Sequence, residues 1–600
     1  MNRLTLKYTY NGHKSQIREV LLEYGAGIDY HSIMGQGRPS LFTLLLSLLC
    51  SSANGQGALH VIDHLYQPHG KSPQKTEFSS CWGWVSPSGQ EYAFISTYTG
   101  TSVVDLNVNP MREVQFIPGP PSGYCYREVK TYKHYAYVVT DYATTGQYVG
   151  LQILDLSGLP DTVIHVKDTL YINPLNPAQN LRTSHTLSYA DGYLYCNGSS
   201  NWGVGGTVML SLLEDPLNPR FAGAYETEYL HDTYIRHDTL YGAAIYSGGG
   251  LHIVDVKDKS NPTLLAKIVY TGSGTHNVWT SVDSKYAFTA DEIGTTPHDL
   301  KVWALDSLPL SAKVGEWSAD PLTAIHNVYG RGHFLYVAHY KAGMHVLDIR
   351  DPRNPVQLGS FDTYDPPSDT VPGAYAGCWA VYPYFPSGRI VGSDMQSGLF
   401  LATFDSLKPR VRPGLISPPD GGIGTFWNFS WRSAANQSED PHDYQLHIWG
   451  NAVDTTFRTS DTTFSLYGFG GWLPAVSYAW SVMVVDEFTE VASPDTFHFM
   501  QIVEDVSDRG RSPFVFELAQ NYPNPFNPLT VIHYQLPTRA HVTLAVFDLL
   551  GRNIATLIDQ EKPAGSYSAR WDAGNVPAGI YFYRMTAGTF VGVKKMVLLK

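Results

Sequence analysis

The chain has 600 residues, more than one compact domain holds, and its 43% hydrophobic content excludes a disordered or fibrous protein. Its 40 Tyr, 54 Gly and 38 Pro favour many short strands joined by turns. A net charge of −13, with no cluster of Lys and Arg, excludes a phosphate-backbone partner, so no nucleic acid is expected.

In chain order, the first feature is an apolar run at residues 40–50, preceded by Arg38 and followed by small and polar residues to Gln56. The run is too short to span a bilayer and reads as a secretory signal core. Residues 1–56 are then an extension plus signal, with Met34 as a start that gives a signal of ordinary length. A genuine extension before a buried apolar segment is the alternative. Leu49 stands where a lipoprotein signal carries a small residue, which argues against a lipid anchor at Cys50. Export permits disulfides among Cys81, Cys125, Cys196 and Cys378. Their wide spacing excludes zinc-ribbon and redox pairs and defines no pairing.

From residue 57 to 408 one unit recurs at roughly 40–55 residues, the spacing of propeller blades. It opens with a short run such as Thr275-His-Asn-Val278 or Ile325-His-Asn-Val328. It then carries an apolar strand from Gly to Asp, as in Gly150-Leu-Gln-Ile-Leu-Asp155, Gly250-Leu-His-Ile-Val-Asp255 and Gly343-Met-His-Val-Leu-Asp348. Trp82, Arg127, His185, His231, His276 and His326 sit ten positions before Tyr92, Tyr137, Tyr195, Tyr241, Tyr286 and Tyr336. A seventh unit keeps Trp379 and loses the tyrosine. The chain is therefore expected to be all-β, with a seven-bladed β-propeller, six or eight blades also fitting the divergent end units. Alternation within the runs predicts half-buried antiparallel strands.

Residues 413–502 hold alternating runs around Trp431, Trp449 and Trp480 and predict a small β-sandwich. Residues 503–513 are polar and read as a linker. Residues 514–600 begin with the proline-rich Asn521-Tyr-Pro-Asn-Pro-Phe-Asn-Pro528 and predict a second small sandwich.

Three resemblances follow. Cys81-Trp-Gly-Trp-Val85, Tyr126-Arg-Glu-Val-Lys130, Ser184-His-Thr-Leu187 and the Gly-to-Asp strands resemble bacterial choice-of-anchor B proteins with LVIVD repeats. That resemblance implies a secreted or surface propeller and supplies no reaction. The segment 413–502 resembles a fibronectin type III domain, which implies a spacer. The motifs at 521–528, Val546-Phe-Asp-Leu-Leu-Gly-Arg552, Ala578-Gly-Ile-Tyr-Phe-Tyr583 and the basic-apolar end at Lys600 resemble the type A sorting domain of type IX secretion. It implies Sec export, recognition by the type IX machinery, outer-membrane passage and removal of the domain. The protein is then secreted or attached to the outer surface, with no transmembrane segment in its mature form.

The repeated position also nominates a site. If the opening runs are the innermost strands, His185, His231, His276 and His326 converge on the central channel, with Arg127, Trp82 and Trp379 in the other units. The returning strands end near Asp141, Asn197, Asp291, Glu292, His339 and Asp394. The expected ligand-binding funnel comprises Arg127, Asp141, His185, His231, His276, Asp291, His326, His339 and Asp394. Its four ring histidines are candidate ligands for a divalent metal. The competing expectation is that a histidine copied by blade duplication simply hydrogen-bonds to the next blade. Nucleophile-elbow, His-Glu-x-x-His and phosphate-loop motifs are missing from the sequence, and no catalytic residue is nominated. Trp82 and Trp84 read as core packing before a sugar platform. Three functions remain: a binding or scaffold protein for a surface, glycan or protein ligand; a metal-dependent hydrolase or lyase; and a purely structural surface protein.

Overall fold

The computed structural model describes residues 58–599 apart from short segments, of which the longest are 121–125, 142–149, 365–374, 435–441, 467–475 and 502–514. It also describes a strand pair, Leu4–Thr5 with Leu21–Leu22. The expected signal core at 40–50 and the start at Met34 lie outside the described residues. Every regular element among the described residues is a strand.

Seven four-stranded antiparallel sheets form the large unit. Their innermost strands, blades 1 to 7 in order, are Phe78–Val85, Arg127–Tyr132, Thr186–Ala190, Asp232–Arg236, Thr275–Thr280, Asn327–Arg331 and Cys378–Tyr382. Each touches the next, and that of blade 7 touches that of blade 1, so the ring closes. Closure uses both ends of the repeat region. Blade 7 takes its first three strands from residues 378–404 and its outermost strand, Leu59–Leu65, from the start of the region. Leu59 pairs with Phe404 and Leu65 with Leu399. Without that strand, Gly398–Phe404 would present an open edge.

The expectation of half-buried strands holds only at the periphery. In blade 1 the second and third strands, Glu91–Thr97 and Gly100–Asp105, are buried along their whole length. The fourth, Arg112–Pro118, is half-buried, with only its two end residues exposed. A blade is covered on both faces by its neighbours, so its middle strands bury even their Ser and Thr residues.

The Gly-to-Asp motif has a backbone cause at each end. Gly250 and Gly343 enter the third strand at φ +84° and +86°, and a Cβ there would lie 2.2 Å from the carbonyl oxygen of Ile268 or Phe361. Only glycine avoids both the left-handed strain and the clash. At the other end, Asp255 Oδ1 accepts the Lys257 N–H at 2.8 Å and Asp348 Oδ1 accepts that of Arg350 at 2.9 Å. These side-chain turns cap the strand and start the link to the fourth.

Cys81, Cys196 and Cys378 are buried free thiols, while Cys50 and Cys125 lie outside the described residues. Residues 414–501 form a three-stranded and a six-stranded sheet around Phe429, Trp431, Tyr478 and Trp480. Residues 517–598 form a three-stranded and a four-stranded sheet around Ile532, Trp571, Tyr583 and Met596. Both are face-to-face sheet pairs, as the alternating sequence predicts.

Gly343→Ala is expected to destabilise the propeller by about 1–3 kcal/mol through the φ and the Phe361 contact. Urea unfolding measures this, and an unchanged midpoint would refute the motif's explanation.

Candidate functional site

The axis of the ring is filled in layers, because each innermost strand must put a side chain into it. The upper layer contains the four repeat histidines. His185 and His231 lie just before the first strands of blades 3 and 4, His276 within that of blade 5, and His326 just before that of blade 6. Their main chains still pair with the second strands: the N–H groups of His185, His231 and His326 donate to Asn197, Ala243 and Ala338 at 2.9, 2.7 and 2.9 Å. The rings follow one another around the axis, with centroids 3.9 Å apart for His185–His231, 4.2 Å for His231–His276 and 4.0 Å for His276–His326. Trp379 of blade 7 continues the series 4.1 Å from His326.

Carboxylates meet this layer at two places. Asp141 Oδ2 lies 3.2 Å from His185 Nδ1. Glu292 Oε2 lies 3.6 Å from His276 Nε2, and its Oε1 lies 4.0 Å from His326 Nε2. Tyr340 donates its hydroxyl proton to Glu292. The nitrogens of His185, His231 and His276 lie within 4.8 Å of one another, as do those of His276 and His326 with a Glu292 oxygen. Tyr126 stacks on Trp379 at 5.0 Å, and Tyr126 and Tyr229 meet His185 and His231 edge-on, both at 6.4 Å. A cavity of ≈10 Å³, about what one water needs, is lined by His185, His276, His326 and Trp379 together with Glu128, Asp232 and Asn327. The site is therefore a packed core, where the sequence suggested an open funnel.

Burial sets the protonation states. It holds the pKa of His231 and His276 well below the ordinary value, and neighbouring imidazoles push the same way. Burial takes His326 down to about 3. His185 differs: burial opposes its charge, but Asp141 outweighs it and raises the pKa. Asp141 is lowered in turn, because His185 offsets its own burial. Burial raises Glu292 against the Tyr340 hydrogen bond. His326 Nδ1 donates to the Trp379 carbonyl at 2.7 Å, which fixes its tautomer and leaves the Nε2 lone pair facing Glu292.

Below the imidazoles lies a second polar layer that sequence reasoning missed. Asn277 donates to Asp232 at 2.8 Å, Thr186 donates to Asp232 at 3.2 Å, and Glu128 pairs with Lys130. Burial, then Glu128, raises Asp232 to about 6. Under this layer Lys130 sits 4.0 Å over Trp82, and Tyr234, Trp279 and Tyr384 close the floor. One residue per blade would have signalled this layer, namely the polar residue just after each repeat histidine.

Trp82 belongs to this floor, whereas the ten-residue offset placed it with the histidines. It pairs with Phe94, as Trp279 pairs with Phe288 and Tyr329 with Tyr336. A register shift between Phe78 and Cys81 moves the histidine level earlier in blade 1. The offset is thus a true register in blades 2, 3, 4 and 6 only.

Four other nominated residues serve the blades themselves. Arg127 donates to the carbonyls of Thr97 and Pro120 at 3.2 and 2.7 Å and to Thr140 Oγ1 at 2.7 Å, clamping blade 1 to blade 2. Asp291 is held by Lys301 at 2.8 Å and Tyr270 at 2.5 Å. Asp394 accepts from Thr363 at 2.8 Å and from the N–H groups of Gln396 and Ser397 at 2.9 and 2.8 Å. His339 Nε2 meets the Thr323 carbonyl at 2.9 Å and packs by Trp317 and His345. Asn197 bridges blades 3 and 4 through Thr186 and Thr233 at 3.1 Å each. Each strand end buries a polar group that must be paired locally, so position on the strand did not suffice to aim it at the axis.

A larger cavity of ≈540 Å³ lies among Trp427, Asn428, Glu517, Tyr534 and Lys595. It is lined jointly by the 414–501 and 517–598 sheets, and Asn428 bonds Glu517 across it at 2.5 Å. It lacks the convergent imidazoles of the axis, which therefore remains the better candidate site.

Comparison with known proteins defines the class. Residues 245–269 and 326–363 match the LVIVD repeat. Residues 520–599 match the secretion system C-terminal sorting domain, so the chain is a propeller-like protein with a type IX sorting tail. No curated protein matches it. Among solved structures, a protein from Lactobacillus plantarum is 14% identical, covers 56% of this chain and 97% of its own, and has a TM-score of 0.36. The RRP9 WD40 repeats are 8% identical, cover 58% and 99%, and have a TM-score of 0.37. No helix among the described residues is long and apolar enough to cross a membrane.

The histidines that serve packing make a pH prediction. His345 is 4% exposed beside His339, and burial followed by His339 lowers its pKa to about 4. Its folded pKa lies below the unfolded one, so stability holds above pH 6.5 and falls as pH drops from 6.5 towards 4. The loss attributable to this group is on the order of 3 kcal/mol. Denaturation across that range should show a shallower decline for His345→Gln; an unaltered slope would refute it.

Proposed function

We propose that the chain is a secreted or surface-displayed binding protein of the choice-of-anchor B type. It leaves the cell through Sec and the type IX machinery. The 517–598 sheets act as its address, and the 414–501 sheets as a fibronectin type III-like spacer. The sorting-domain match at residues 520–599 supports this reading most directly. The binding centre is the axial cluster of His185, His231, His276 and His326 with Asp141 and Glu292. The mutual approach of His185, His231 and His276 within 4.8 Å supports that assignment.

Removal of residues 516–600 should leave the protein in the periplasm while full-length protein reaches the surface or medium. Cell fractionation decides the matter, and normal secretion of the truncated chain would overturn the address. The propeller fold itself does not depend on that outcome.

A further inference from the structure

The axial cluster has unfinished hydrogen bonding. Nδ1 of His231 and Nδ1 of His276 are buried without a hydrogen-bond partner, and the two residues are only 6% and 2% exposed. The carbonyls of His276 and His326, one blade further on, face these rings without completing the bond. His326 completes the same bond to Trp379. His185 is thus oriented from behind by Asp141 and His326 by Trp379, as metal-binding histidines are, whereas His231 and His276 have no completed bond there. Donor atoms of His185, His231 and His276 converge to within 4.8 Å of one another, and the ≈10 Å³ cavity beside them is lined by His185 and His276.

We propose that His185, His231 and His276 bind one divalent transition ion of the zinc class, with Glu292 at the fourth position, as a staple joining blades 3, 4 and 5. This rests on the axial cluster being the binding centre. Three imidazoles and one carboxylate suit such an ion, whereas calcium and magnesium require mostly oxygen donors. The charges also balance: two positive charges on the ion meet Glu292 beside it and Asp141 behind His185. One ion is expected, because His276 is shared between the two groups of donors and can serve only one of them at a time. His326 approaches only His276 and Glu292, not His185 or His231, and stays outside the coordination. The donors come from three blades, so coordination cross-links the ring, and the packing of Tyr126, Tyr229 and Trp379 around them fits a structural ion.

The test uses the full chain, stripped with EDTA and titrated with Zn²⁺ by calorimetry and with Co²⁺ by visible absorption. We expect one ion per chain, a tetrahedral Co²⁺ spectrum and a melting temperature raised by roughly 3 °C or more. His231→Gln and His276→Gln should lose the ion; His326→Gln and the off-axis His252→Gln should retain it. Glu292→Gln should weaken binding about 10–100-fold. Circular dichroism establishes that each variant is folded. Loss in His326→Gln with retention in His185→Gln would overturn the ligand assignment. Formate and ammonium, each small enough for a water-sized space, serve as polar probes of the same site. If folded wild-type protein takes up no ion but a probe stabilises it and not His276→Gln, the metal is refuted and the axial site stands. If neither ion nor probe acts, both fall.

Discussion

Closure of the ring is the constraint on which the rest of the structure depends. Seven innermost strands around one axis leave a central space that only side chains from those strands can fill. Repetition of one unit then places like residues side by side, which brings four imidazoles into a continuous series of ring contacts. In a single blade those histidines would be solvent-exposed and ordinary. In the closed ring they are desolvated, largely neutral and within reach of one another.

The same closure explains the polarity of the axis. The channel wall is backbone from every blade, and its carbonyls and N–H groups must find partners away from water. Thr186, Asn277 and Asn327 supply them between adjacent blades, to the His231 carbonyl, the Val328 N–H and the Trp379 carbonyl. The aromatic floor of Trp82, Tyr234, Trp279 and Tyr384 then seals one side. The cluster retains some exposure on the opposite side, 13% at His185, 28% at Asp141 and 14% at Glu292. A site of this kind holds a small group and keeps out a polymer, so extended glycan or protein ligands would have to bind the rim.

Much of this was legible because blades repeat. The Gly-to-Asp strand announces its own geometry: a left-handed entry, a closely approaching carbonyl and a side-chain turn at the exit. The histidine position was equally readable in blades 2, 3, 4 and 6, where hairpin length is constant. It misled at Trp82, where a bulge shifts the register, and the tyrosine of blade 5 matched by count alone. Strand ends were the least informative. Arg127, Asp291, His339 and Asp394 have the right types and the right places in the repeat, yet local partners claim each of them.

The sequence by itself determined the all-β class, the repeat, the sorting tail and the list of residues able to meet at the axis. Those properties are local or periodic, carried by backbone preferences and by ordered motifs within one unit. Only the tertiary structure decided that Leu59–Leu65 completes the last blade, that Glu292 rather than Asp291 faces the imidazoles, and that the funnel is packed. These depend on register shifts of one or two residues and on contacts between blades far apart in sequence, and no short-range pattern records them.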